Sequence, residues 1–74
     1  INFTVKNVQE SIQKVKDNFE KDFDTLDGIS YFEENYWFNI RGSNTEPKLR
    51  LNAEAENIDL LDNLVKKIRN IIEE

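Results

Sequence analysis

The apolar residues of this chain change period once in its last third, and that switch restricts the fold more than any other feature. Leu49, Leu51, Ala53 and Ala55 alternate with Arg50, Asn52, Glu54 and Glu56, the two-residue period of a strand with one apolar and one polar face. Leu61, Leu64, Val65, Ile68, Ile71 and Ile72 follow at helical spacing, forming a single stripe along an α-helix. Asn57 is suited to be its N-cap, and Asp59 falls in the first turn, where the helix dipole favours negative charge. A strand with one dry face followed by a helix with one dry stripe predicts a helix laid on a sheet whose other side stays open.

The rest of the chain repeats this arrangement. Ile1, Phe3 and Val5 alternate with Asn2, Thr4 and Lys6, as in a half-buried strand. Asn7 stands three residues before Glu10 in a capping-box arrangement, and Val8, Ile12, Val15 and Phe19 predict a helix from Val8 to Glu20. Phe23 to Leu26 reads as a short strand closed by an Asp27-Gly28 turn. Ile29 to Phe32 and Tyr36 to Arg41 form a hairpin through Glu33-Glu34-Asn35, with Tyr36, Phe38 and Ile40 on one face and Trp37 on the other. The expected fold is α+β: a mostly antiparallel four- or five-stranded sheet in β-α-β-β-β-α order, with both helices on one face. The opposite face, bearing Arg50, Asn52 and Glu54, is expected to meet water or another domain.

Seventy-four residues make a single domain, 1–74, near the small end of what folds alone. The chain reads as a soluble piece excised from a larger protein, and no apolar run approaches the roughly 18 residues of a membrane span. It contains no cysteine and no histidine, which excludes a disulfide scaffold and any Ser/His or Cys/His nucleophile, and suits a cytoplasmic location. The net charge of −5 argues against nucleic-acid and membrane partners, because affinity for a phosphate backbone requires clustered Lys and Arg. Asp22, Asp24 and Asp27 have a carboxylate spacing faintly like a calcium loop without its remaining ligand positions, so no metal site is expected.

The decapeptide RGSNTEPKLR, Arg41 to Arg50, departs from this acidic background with three cations against the single anion Glu46. Gly42 frees the backbone after Arg41, and Ser43, Asn44 and Thr45 each supply side-chain and backbone donors. Pro47 forces Glu46 into an extended conformation and so fixes where the loop ends. One guanidinium fork beside a ring of neutral donors makes a cradle for a small oxyanion. The same residue types also make a plain polar turn, so the residues alone leave both readings open. The spacing is not that of a P-loop.

From Arg41 to Ala55, RGSNTEPKLRLNAEA resembles the C-terminal domain of the α-D-phosphohexomutases, the phosphomannomutase/phosphoglucomutase family. The family pattern is Arg, a variable residue, Ser, Asn or Gly, Thr and usually Glu-Pro. Here Gly42 stands where Ala or Pro is more usual, and Asn44 points to the phosphomannomutase/phosphoglucomutase branch. The resemblance runs from INFTV to the last helix. It implies a TATA-binding-protein-like sheet that forms the fourth domain of a larger enzyme, in which phosphoserine and Mg2+ in other domains carry out phosphoryl transfer. This domain would need no cofactor and would have no catalytic residue. Its partners would be a sugar phosphate and the enzyme's other domains. Arg41, Ser43, Asn44 and Thr45 would bind the phosphate that is not transferred, Glu46 and Pro47 would shape the loop, and Arg50 would be a secondary contact. A different class of function, a free-standing protein-interaction module using the polar sheet face, also fits the residues.

Overall fold

Two asparagines start the helices. Asn7 Oδ1 accepts the Glu10 amide at 3.1 Å and Asn57 Oδ1 accepts the Leu60 amide at 2.9 Å, each satisfying an N–H that has no partner within its helix. In the computed structural model the elements are β1 (Asn2–Thr4), α1 (Val8–Asp17), β2 (Ile29–Phe32), β3 (Tyr36–Gly42), β4 (Lys48–Ala55) and α2 (Ile58–Glu73). The structure describes every residue except Leu26, Asp27, Asn44 and Glu74.

The helix α1 stops at Asp17, short of the expected Glu20. Asn18 ends it: its side-chain amide donates to the Lys14 carbonyl at 2.8 Å and its backbone N–H to Val15 at 3.1 Å. Phe19 then leaves the helix and packs into the core. The strand expected at Phe23 to Leu26 is not a member of the sheet, although Leu26 itself lies outside the described residues. Of the described residues there, only Asp24 pairs, exchanging both backbone hydrogen bonds with Ser30 at 2.9 and 2.8 Å. Phe23 turns inward instead, to the rings of Tyr31 and Phe38 at 4.9 and 5.9 Å. Burial of that ring outweighs extension of the ladder.

The four strands form one sheet in the order β1-β4-β3-β2, every neighbouring pair antiparallel. Its register sorts the side chains cleanly. Phe3 opposes Leu49, Ile40 opposes both Leu51 and Ile29, and Phe38 opposes Tyr31 and Ala53. These inward residues meet Val15 of α1 and Leu64, Ile68 and Ile72 of α2 in one core. Phe38 is its aromatic centre, fully buried, with Phe19 at 5.0 Å and Tyr31 at 5.6 Å between ring centroids. Ser11, on α1, is also buried, a position that the apolar periodicity passes over. Among the described residues no helix is long and apolar enough to cross a membrane.

Candidate functional site

The outward face carries the other half of each alternation, ordered in rows across the strands. Asn2, Arg50 and Arg41 form one row, Ser30, Asn39 and Asn52 the next, and Phe32, Trp37 and Glu54 the third. Arg41 and Arg50 are therefore direct cross-strand neighbours. Like charges directly opposed on one sheet face are disfavoured by a few tenths to about 1 kcal/mol, and this register sets two arginines in that position.

Next to this pair the chain reverses from β3 to β4. The Ser43 amide donates to the Lys48 carbonyl at 3.1 Å and the Lys48 amide to the Glu46 carbonyl at 2.8 Å. Between them the amides of Thr45 and Glu46 both point at Ser43 Oγ, each at 3.3 Å, with Thr45 Oγ1 at 3.4 Å from the same atom. Several donors thus converge on one oxygen. Those bonds are long, and they form the local turn in which a serine side chain accepts the backbone N–H groups two and three residues on.

Two contacts fix where the loop sits. The Val5 amide donates to the Pro47 carbonyl at 2.8 Å, tying the loop's end to the segment that follows β1. Gly42 acts differently from the expectation: its φ is not positive, and Gly28 is the glycine in the left-handed region, at φ 70°. A Cβ on Gly42 would lie 2.5 Å from Val8 Cγ1. Gly42 therefore serves close approach to α1, and backbone freedom is not what the loop takes from it. At Gly28 a Cβ would come within 2.4 Å of the Ile40 carbonyl oxygen and 2.9 Å of Arg41 Cγ, so this glycine lets the backbone lie against the arginine's stem.

Arg41, Gly42, Ser43, Glu46 and Arg50 line one shallow depression. Thr45 borders the loop with its N–H and hydroxyl turned toward Ser43, and Asn44 lies outside the described residues. Asn2 and Lys48 also line the depression, and neither is in the predicted ligand set. Lys48 was legible, since it shares strand parity with Arg50, whereas Asn2 arrives only through β1–β4 pairing. Glu46 holds Lys48, carboxylate to ammonium, at 3.1 Å with both side chains mostly exposed, a pair worth at most about 1 kcal/mol. Among the described residues no three metal-ligating side chains come together, and Asp27 of the Asp22, Asp24 and Asp27 spacing lies outside them.

Trp37 is half-buried on the open face, its indole N–H donating to Glu54 Oε2 at 3.1 Å across the β3–β4 pair. Asn39 occupies the row between Trp37 and Arg41, with its amide on Ser30 Oγ at 3.0 Å. The open face therefore grades from cationic at the loop end to aromatic and acidic at the other.

Comparison with known proteins gives the family of the chain. A family model of the phosphoglucomutase/phosphomannomutase C-terminal domain matches residues 1–71. Over 73 residues, 97% of its length, the chain is 45% identical to a phosphomannomutase of Methanocaldococcus jannaschii. It is 40% identical over 76 residues to a phosphomannomutase of Vibrio cholerae, again with 97% of the chain covered. A phosphoglucosamine mutase of Methanococcus maripaludis is 39% identical over 62 residues, 82% of the chain. The chain spans 16% of the length of the first two proteins and 14% of the third. With a match that runs from β1 into α2 and takes in the whole loop from Arg41 to Pro47, the chain belongs to the family of phosphoglucomutase/phosphomannomutase C-terminal domains.

Proposed function

We propose that this chain is the phosphate-gripping domain of a larger phosphohexomutase, a cytoplasmic enzyme that interconverts hexose 1-phosphates and 6-phosphates through a bisphosphorylated intermediate. The observation that carries the reading is the Arg41–Arg50 pair set beside the convergent donors of the Ser43 loop. A phosphate dianion neutralises both guanidinium groups at once and accepts the N–H groups that Ser43 Oγ holds in the free domain. Arg41, Ser43, Asn44 and Thr45 are the ligands in this reading, Arg50 a secondary contact, and Glu46 and Pro47 the residues that set the loop's shape.

The isolated domain binds without catalysing. Its phosphate contacts supply binding energy that closes the parent enzyme over the sugar and aligns the distant end for transfer. A cradle that touches only the phosphate accepts a sugar presented from either end, as a reaction through a bisphosphate requires. The Mg2+ of the parent belongs to its other domains in this scheme, and no step here depends on it. The outward residues Trp37, Asn52 and Glu54 then face those domains, which favours an intramolecular contact over a free-standing interaction module.

Titration of the labelled chain with inorganic phosphate tests the site. Amide shifts are expected at Gly42, Ser43 and Thr45, with roughly millimolar affinity. Unmoved resonances there at tens of millimolar phosphate would exclude a formed site.

A further inference from the structure

The strand β1 covers only part of its neighbour. It pairs with β4 at Lys48, Leu49 and Arg50, and the contact continues through Ile1, whose amine donates to the Leu51 carbonyl at 3.1 Å and whose carbonyl accepts the Leu51 amide at 2.8 Å. Because N–H and C=O directions alternate along a strand, Ala53 and Ala55 point their backbone groups to the same side as Leu51. Glu56, of opposite parity, donates to Asn35 on the β3 side at 2.8 Å. No strand lies beside residues 52–55 on the β1 side among the described residues. Unpaired ladder groups on a sheet edge are a template for another strand.

A groove of about 710 Å³ runs along this same edge. Leu51 and Ala53 of β4 and Leu61 and Val65 of α2 line its apolar wall, with Ile1, more than half exposed, at its end. Asn52 and Glu54 form the other wall. Side chains from both faces of the sheet thus border one channel beside the unpaired edge of β4, with Asp62, Lys66 and Arg69 also among its lining.

We infer that the residues immediately upstream of Ile1 in the parent polypeptide occupy this groove as a continuation of β1, making four more ladder positions on β4. The inference rests on the reading of the chain as part of a longer enzyme. Continuity dictates the occupant: β1 runs antiparallel to β4, so any residue joined before Ile1 passes over Asn52 and then Ala53. At about 3.4 Å per residue, four residues reach Ala55. The register assigns each one. The second and fourth upstream residues oppose Ala53 and Ala55, exchange backbone hydrogen bonds with them, and turn their side chains toward Leu61 and Val65. They are therefore apolar, and neither is proline. The first and third flank Asn52 and Glu54 on the open face. The connector is thereby pinned to the strand that leads back to Arg50 and the Ser43 loop, so the hinge of any domain movement lies beyond the fourth upstream residue.

Hydrogen exchange in the full-length parent protein tests this. The Ala53 and Ala55 amides are expected to exchange at least about 100-fold more slowly than in an unstructured peptide. Proline at the second upstream position should release Ala53 by tenfold or more while Leu51 and Phe38 keep their protection. Exchange of Ala53 and Ala55 at free-peptide rates in the unsubstituted protein overturns the inference, as does protection that the proline leaves unchanged, since another element would then cover the edge. Inorganic phosphate added to the same protein reports separately on the loop: amides of Gly42 to Thr45 that ignore phosphate while Ala53 stays protected remove the phosphate reading and leave the strand standing.

Discussion

Arg41 and Arg50 face each other directly across the β3–β4 ladder, on the exposed side of a sheet whose other side is the core. In the proposed reading a bound dianion lies against both. Arg50→Thr, which keeps strand propensity, is expected to stabilise the free chain by up to about 1 kcal/mol at low salt and to weaken phosphate binding several-fold. Urea midpoints with and without phosphate measure both effects. A variant less stable than the parent chain in phosphate-free buffer would show that the pair is not repulsive.

If Arg41 grips the substrate phosphate as proposed, Arg41→Ala in the full-length enzyme should lower kcat/KM by about two orders of magnitude or more through loss of a charge-assisted contact. The circular dichroism spectrum should stay unchanged, since Arg41 is exposed. Turnover close to the unsubstituted enzyme would remove Arg41 from the site.

Gly28→Ala tests the support beneath Arg41. The substitution places a side chain on a residue at φ 70°, against the Ile40 carbonyl. Left-handed backbone alone costs an ordinary residue about 1–2 kcal/mol, and the contact adds to it. A loss of at least about 2 kcal/mol is expected, with altered resonances at Arg41, and a thermal melt within 1–2 °C of the parent chain would contradict it.

Alkaline titration should unfold the domain in a defined direction. Burial pushes the Tyr36 phenol above its ordinary value of 10.0, with Tyr31 and Glu33 adding to the shift. A group whose folded pKa is raised contributes stability that is complete below its unfolded pKa and is lost as pH rises through the folded one. Stability should therefore be level to about pH 9 and decline above 10, and Tyr36→Phe should flatten part of that decline. Absorbance of tyrosinate gives the titration and urea melts give the slope.

The two N-caps are independent of one another. Asn7 lies beside the C-terminal end of α2, lining a groove with Ile72 and Glu73, whereas Asn57 starts that sixteen-residue helix at its other end. Asn7→Ala and Asn57→Ala should each cost about 1 kcal/mol, and the double variant the sum. Additivity is read from denaturation midpoints, and a double variant no worse than either single one would show that the caps act through a shared contact.

How much was legible in the sequence can be seen residue by residue. Strand parity placed Phe38 and Ile40 inward and Trp37, Arg50 and Asn52 outward, and the helical stripes named Val15, Leu64 and Ile68, because local periodicity and the demand to bury apolar surface act on nearest neighbours along the chain. The Arg41 to Pro47 motif marked the loop for the same reason: its members are adjacent in sequence. The end of α1 at Asn18 and the inward turn of Phe23 depended instead on competition between local hydrogen bonding and a distant aromatic core. Gly42 misled in a similar way, since its need comes from Val8 on another element. Tertiary structure alone decided which strands adjoin. Only the β1-β4-β3-β2 order sets Arg41 against Arg50, brings Asn2 to their side, and leaves Ala53 and Ala55 with an open edge, because strand pairing is fixed by long-range packing that no stretch of the chain encodes by itself.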